Sequence, residues 1–399
     1  MYAQAQQMVQ AWQQTMHETW ERQSTALPAS GGAAGAAPPD GFPPPPPKGS
    51  TPEQYAAYLR TLNEEQLRAV ANRDGLAAEL RDQANRILLP RDQERLRNEI
   101  AALRAKAKDA VGPGGEAERL TSNYRADELQ TQLDRLNVVA DNIQQRRPGD
   151  DNGYFLLGYD PAADEGRAIV AKSNPDTAKN VATLIPGATT ALDGNFAGTI
   201  NRINEVQEAA LRADPNAPTS VIAWLDYDAP EFNEVPFDAN ANNASKDLDS
   251  FQDGLRASHV GDKSHNTVVG HSYGAFVAGV ADRDTGLDID ELVSAGGTGL
   301  GVNHATDLNI APEHVWATEA TAENVDGEDT SADLGRGYGF LRNNAADESF
   351  GARVFESDAP VPLRQDTHGQ YFEDTGDTHL NPGLNNIGAI IAGKPTEPR

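Results

Sequence analysis

Two hydrophobic rhythms run along the chain, and the change between them near residue 150 divides it. Over residues 2–24, Ala5, Val9, Trp12, Met16 and Trp20 recur at helical spacing, which predicts one helix with a single apolar stripe. Few basic residues lie opposite that stripe, so it suits packing or assembly better than a membrane surface. Ala/Gly-rich sequence follows and ends in Pro43 to Pro47, a linker that is part flexible and part extended polyproline.

Residues 51–148 keep the helical period. Thr51-Pro52-Glu53-Gln54 reads as an N-cap, a first-turn proline and a capping glutamine. Asn63 caps a second helix, Glu64 to Asn72, which Asp74-Gly75 breaks. A third helix is predicted from Leu76 to Leu89, ended by Pro90, and a fourth from about Asp92 to Lys108. A last helix, Asp127 to Gln145, carries Leu129, Leu133, Leu136, Ala140 and Ile143 at the spacing of a helical-hairpin seam. The region reads as a structural appendage, such as a lid support or an oligomer contact.

From about residue 152 short apolar, β-branched runs alternate with helical segments. Residues 154–159 and 167–171 look like an opening antiparallel pair. Further strands are predicted at 181–185, 220–225, 267–270, 291–295 and 314–318, with helices over about 196–213 and 239–258. This alternation predicts an α/β fold, a mostly parallel sheet with helices on both faces, preceded by an α-helical region. The division is therefore an N-terminal helix at 1–24, a linker at 25–50, a helical region at 51–148 and an α/β domain at 149–399. In such sheets ligands bind beyond the carboxyl ends of the strands.

Composition narrows the function. With 60 acidic and 33 basic residues the formal charge is -27, a surface that repels phosphate backbones and anionic membranes, so nucleic acid is not an expected partner. There is no cysteine, which excludes disulfides, cysteine metal sites and a thiol nucleophile. No apolar run reaches the length of a membrane span, and Met1-Tyr2-Ala3-Gln4-Ala5-Gln6 lacks the features of a secretory signal. A soluble protein is expected, cytoplasmic or exported without a classical signal peptide.

The chemistry concentrates at Thr267-Val268-Val269-Gly270-His271-Ser272-Tyr273-Gly274-Ala275-Phe276. An apolar strand meets Gly-x-Ser-x-Gly and a small-residue helix follows, the pattern of a nucleophile elbow. Ser272 would sit at the carboxyl end of the sheet, above the N-terminus of the next helix. A serine hydroxyl needs a base and an orienting acid, and in the elbow arrangement the chain order is nucleophile, acid, histidine. Downstream of Ser272, His368 and His379 lie late enough, and His368 is preferred. The acid belongs in the loop after the strand at 315–318, where Glu323 and Asp326 both qualify and Glu319 falls at the strand end. Backbone N–H groups of Tyr273 and of Ala188 or Thr189 would hold an oxyanion. Tyr227 and Asp228, in Trp224-Leu225-Asp226-Tyr227-Asp228-Ala229-Pro230, leave another strand on the same edge and would shape a substrate pocket. Metal binding by Asp226 and Asp228 is disfavoured for want of suitably spaced histidines, so no metal and no cofactor is expected.

Taken in order, several stretches resemble the actinobacterial α/β-hydrolase family long catalogued as a domain of unknown function. They are Leu184-Ile185-Pro186-Gly187, Ala223 to Pro230, Gly270 to Gly274, Gly296 to Val302, Val315-Trp316-Ala317, Phe350 to Arg353 and His368 to Phe372. A weaker echo lies upstream in Gly75-Leu76 and Arg81 to Arg86. The resemblance covers about residues 150–395 and implies an α/β-hydrolase fold with a triad of Ser272, an acid and His368. Family members often carry an Asp followed by Pro and an aliphatic residue in the acid loop. Here the place reads Glu323-Asn324-Val325, so Glu323 is carried over as the substitute. The expected activity is hydrolysis of a small-molecule or lipid ester. The rival is a binding or assembly protein on the same scaffold, meeting a protein partner through its N-terminal helix or Pro-rich linker.

Overall fold

The computed structural model describes residues 43–112, 114–143, 146–230, 239–297, 299–319, 344–357, 370–372 and 381–396. The expected helix at 2–24 and most of the linker lie outside them. Among the described residues, no helix is long and apolar enough to cross a membrane.

Among the described residues four helices come first: α1 (Pro52–Leu59), α2 (Glu64–Ala71), α3 (Ala78–Asp109) and α4 (Gly115–Asn142). Both predicted capping boxes form, Thr51 with Gln54 and Asn63 with Gln66. The predicted stop at Pro90 does not occur. Pro90 is exposed, so its ring faces water, and α3 is pinned on both sides of it by buried Leu88, Leu89 and Leu96. Asp92 adds a further anchor, accepting from Arg68 at 2.6 and 2.9 Å and from the Tyr159 hydroxyl at 2.8 Å. These contacts offset the amide that proline removes from a helix interior. Helix α4 also starts well before the expected Asp127. Its first half has no apolar stripe and pairs with α3 through polar contacts, Arg104 with Asp127 and Lys106 with Glu118.

Among the described residues the sheet has eight strands: β1 (Tyr154–Asp160), β2 (Arg167–Lys172), β3 (Asn180–Ile185), β4 (Thr219–Leu225), β5 (His265–His271), β6 (Glu291–Ala295), β7 (Val315–Thr318) and β8 (Arg353–Val354). Their order is β1-β2-β4-β3-β5-β6-β7-β8. β1 and β2 form the expected antiparallel pair, β2 meets β4 antiparallel, and every other pair is parallel. Helix α5 (Gly194–Ala213) links β3 to β4, α6 (Ala239–Ser258) links β4 to β5, and α7 (Tyr273–Thr285) links β5 to β6. The first crossover runs one way along the sheet and the next two run the other. Right-handedness therefore puts α5 on one face and α6 with α7 on the opposite face. Helix α8 (Pro382–Ile391) packs beside α5. The fold is α/β, with a mixed, mostly parallel sheet between two helical layers and a helical region ahead of it.

That helical region is mortised into the sheet. An edge strand presents backbone groups that need partners, and α3 supplies them to β1. Asp82 accepts from Leu156 N–H at 2.8 Å and Asn85 donates to the Leu156 carbonyl at 2.9 Å. Arg81 donates to the Leu157 carbonyl at 2.9 Å, and Arg86 to that of Tyr154 at 2.8 Å. Arg146 joins Asp82 and Glu79, each at 2.7 Å, and stacks over the Phe155 ring. Asp176, just after β2, caps the first amide of α3 at 2.6 Å. The proline run is also docked rather than a free spacer. Tyr58 and Tyr55 donate hydroxyls to the Pro43 and Pro47 carbonyls, and Lys48 reaches the His259 carbonyl at 2.7 Å.

Asp82→Ala will leave buried Arg146 with Glu79 as its one remaining carboxylate in this network and strip the Leu156 N–H of its acceptor. A loss of roughly 3–5 kcal/mol in urea-unfolding free energy is expected. A loss below about 1 kcal/mol would show that the edge network is not what binds the helical region to the sheet.

Candidate active site at the strand–helix elbow

The elbow forms as its residue types require. β5 is buried between β3 and β6, with Gly270 in register with Ile185 on one side and Ser294 on the other. The chain then turns straight into α7, which begins at Tyr273. A Cβ on Gly270 would fall inside the backbone of Ala275, and one on Gly274 would strike the Ile185 carbonyl oxygen. Glycine is the only residue that permits both approaches. Ser272 lies between them at φ 53, ψ -123, a conformation that L residues seldom take and that costs on the order of 1–3 kcal/mol. Its N–H donates to the Ala295 carbonyl at 3.2 Å. His271 and Tyr273 are buried, whereas Ser272 is half-buried and reachable from solvent.

The loop after β3 closes on the serine from the side. A Cβ on Gly187 would stand 2.9 Å from Ser272 Cβ and 3.3 Å from its Oγ. Ala188 and Thr189 follow, both half-buried, with Thr189 at φ 59. The Thr189 amide is already engaged, donating to the Pro230 carbonyl at 2.9 Å. Of the two expected second donors, Ala188 therefore remains. Tyr273 is the first residue of α7, and first-turn amides have no acceptor within their own helix.

On the far side of the elbow, the His271 ring meets Phe372 edge-on at 5.4 Å and Tyr371 at 6.2 Å. Both aromatic residues are fully buried. The short helical turn Gln370–Phe372 is thus fixed beside the residue that precedes Ser272. His368, His379, Glu323 and Asp326 lie outside the described residues. Glu319 directly follows β7 and accepts from Asn344 at 2.7 Å.

The loop after β4 differs from the sequence expectation. Tyr227 is 2% exposed, stacked on Trp224 with centroids 6.1 Å apart, and its hydroxyl donates to the Pro186 carbonyl at 2.7 Å. It supports the loop after β3 and does not line an open pocket. The sequence places Tyr227 just past a strand end, where nothing local tells that its ring turns inward onto Trp224. Asp228 is more open, and it pairs with Arg167 at 2.8 Å while its carbonyl accepts from Asn240. Asp226 and Asp247 face the same guanidinium at 3.8 and 3.9 Å. Among the described residues, no group of three or more His, Asp or Glu side chains could hold a metal ion. Burial pushes the Asp226 carboxyl up to about 7, with Arg167 pulling it down and Asp247 adding to the rise.

Residues 160–333 match a family model described as alpha/beta hydrolase. The chain is 31% identical over 298 residues to an uncharacterized protein of Mycobacterium tuberculosis, a match covering 69% of this chain and 43% of that protein. It therefore spans less than half the length of that relative. An uncharacterized protein of Mycobacterium bovis is 30% identical over 173 residues, 41% of this chain and 65% of that protein. Solved structures similar to it include a dienelactone hydrolase from Anabaena variabilis, at 13% identity and TM-score 0.35 over 61% of this chain and 96% of that one. An esterase from the archaeon Pyrobaculum calidifontis gives 13% identity and TM-score 0.34 over 67% and 93%. The alpha/beta hydrolase model thus matches less than half of the chain, and the mycobacterial proteins it is similar to are uncharacterized.

The Asp226 environment has a measurable consequence. Its native pKa of about 7 exceeds the ordinary 3.8, so the folded state holds the proton more tightly than the unfolded state does. Its contribution to stability therefore falls as pH rises from about 4 to about 7 and stays low above that. Asp226→Asn will flatten this part of the stability profile, so that stability falls by about 1–3 kcal/mol less between pH 5 and pH 8 than in wild type. Parallel profiles for the two proteins, measured by chemical denaturation across that range, would contradict the assignment.

Proposed function

We propose that the chain is a serine hydrolase acting on carboxylic esters, with Ser272 as nucleophile. The observation that carries this reading is the strained, solvent-reachable Ser272 at the end of β5, with the N-terminus of α7 beneath it and the Gly187 backbone against its side chain. Supporting it are the strand order and the family match over residues 160–333. The finer kinship, to the actinobacterial family catalogued as a domain of unknown function, is part of the same proposal.

The base is His368. One residue, Gly369, separates it from Gln370 in the chain. The turn at Gln370–Phe372, which follows His368 in sequence, packs against His271. The acid is Glu323, with Asp326 as the alternative in the same loop; both follow β7, two strands from β5. Ser272 Oγ attacks the ester carbonyl and gives its proton to the His368 imidazole. The oxyanion is held by the N–H groups of Tyr273 and Ala188. Collapse of the tetrahedral intermediate breaks the C–O bond, and His368 returns the proton to the departing alcohol. Water, deprotonated by His368, then releases the acyl group from Ser272 by the reverse sequence.

Hydrolysis of p-nitrophenyl acetate and longer-chain homologues by wild type, Ser272→Ala and His368→Ala tests the reading. Both variants are expected to lose at least about 10³-fold in kcat, and Ser272→Ala to lose covalent labelling by a fluorophosphonate. Turnover unchanged in Ser272→Ala would place the activity elsewhere. A wild type that neither turns over nor labels would favour the non-catalytic binding scaffold.

A further inference from the structure

We infer that Tyr227 is a positioning residue for the oxyanion loop: its buried hydroxyl and the Pro230 carbonyl hold residues 186–189 from the two ends, so that the Ala188 N–H is aimed before substrate arrives. The inference rests on the reading of Ser272 as nucleophile.

The geometry of the peptide unit links the two. Tyr227 Oη donates to the Pro186 carbonyl at 2.7 Å and lies 3.4 Å from the Gly187 carbonyl. A trans peptide is planar, with its N–H opposed to its C=O. Holding the Pro186 carbonyl therefore turns the Gly187 N–H away from Tyr227. Keeping the Gly187 carbonyl on the tyrosine side does the same for the Ala188 N–H. At the other end Thr189 N–H donates to Pro230 at 2.9 Å, which sets the peptide just past Ala188. Thr189 pays for this with a left-handed φ of 59, and its carbonyl is tied by Asn195 at 3.2 Å. Both anchors, Tyr227 and Pro230, belong to the one loop after β4.

That loop is itself braced. Arg167 holds the Asp228 carboxylate at 2.8 Å, Asn240 holds the Asp228 carbonyl at 2.8 Å, and Trp224 lies parallel to the Tyr227 ring within 9°. At 2% exposure the phenol cannot reach a substrate, so its effect passes through the loop. Burial raises the phenol well above its ordinary ionisation range, which keeps it a neutral donor. An oxyanion donor is effective only when its position is set in advance, since water competes with a donor that must reorganise.

Tyr227→Phe in the full chain keeps the ring and its stack and removes only the hydroxyl. The expected result with p-nitrophenyl acetate is a fall of about 10- to 100-fold in kcat with KM within two-fold, and a parallel fall in the fluorophosphonate labelling rate. Phe251→Leu thins the packing behind Trp224 but leaves the stack and the hydroxyl; it is expected to lose stability while keeping kcat within two-fold. Equal kcat losses in the two variants would reduce Tyr227 to a packing residue and overturn the inference. So would wild-type kcat in Tyr227→Phe while Ser272→Ala is inactive, and that result leaves the nucleophile intact. Turnover that survives Ser272→Ala overturns the nucleophile and this inference together.

Discussion

The backbone contact between the start of α7 and the end of β3 is the constraint on which the rest of the site depends. With no Cβ at Gly274, the helix can start against the Ile185 carbonyl. With none at Gly270, the strand can fold back on Ala275. Ser272 has no relaxed conformation left and takes φ 53. The same contact brings the chain leaving β3 alongside the chain leaving β5. These two strands are neighbours at the point where the order of the sheet reverses, because β4 lies outside β3. Their following helices go to opposite faces, so a crevice must open between their carboxyl ends. Ser272 and Gly187 meet at that crevice. Topology selects the place, and two glycines allow the chain to be tight enough there to use it.

Much of this was legible in the sequence because its causes are local. Buried strands read as short β-branched runs, and the caps at Thr51 and Asn63 read directly from residue type and spacing. The elbow was legible for the same reason, since Gly-x-Ser-x-Gly between a strand and a helix states its own steric problem. What escaped depends on distant partners. Pro90 looks like a helix stop until Arg68 and Tyr159 are seen to grip Asp92 just beyond it. Arg81 to Arg86 read only as a weak family echo, because their acceptors and donors lie more than 60 residues away in β1. Tyr227 follows a strand on the ligand-binding edge and so resembles a pocket residue, yet its ring turns inward onto Trp224. The positive φ of Thr189 carried no signal, because β-branched residues are poor candidates for one.

The two edges of the sheet are protected by different means. β8 is two residues long and offers little backbone to pair with. β1 is a full strand with a register shift between Leu156 and Gly158, and a bare edge of that length would invite association. Helix α3 covers it with side chains that satisfy backbone groups directly. Those side chains include buried ions, which contribute little net stability but are costly when left unpaired. The helical region and the sheet are therefore bound by the need for Arg81, Asp82 and Arg146 to keep their partners, as well as by apolar contact. This explains why residues far upstream of the elbow belong to the same structural unit.

The charge of the chain sharpens what the proposed site must do locally. At -27 the molecule sets up a field that opposes any new negative charge, including the oxyanion that an attack by Ser272 would create. Salt screens exposed charges beyond about 8 Å at physiological ionic strength, so the opposition comes mainly from nearby carboxylates. Of these, Asp226, Asp228 and Asp247 gather around Arg167 beside the loop after β4. Their grouping on one guanidinium offsets part of that negative charge where it gathers. The stabilising potential must then come from the α7 N-terminus and fixed amides, which act within about one helical turn. Only donors already in place can outweigh a hostile field at that range. A clamp on residues 186–189 follows from the same electrostatics that the acidic surface imposes.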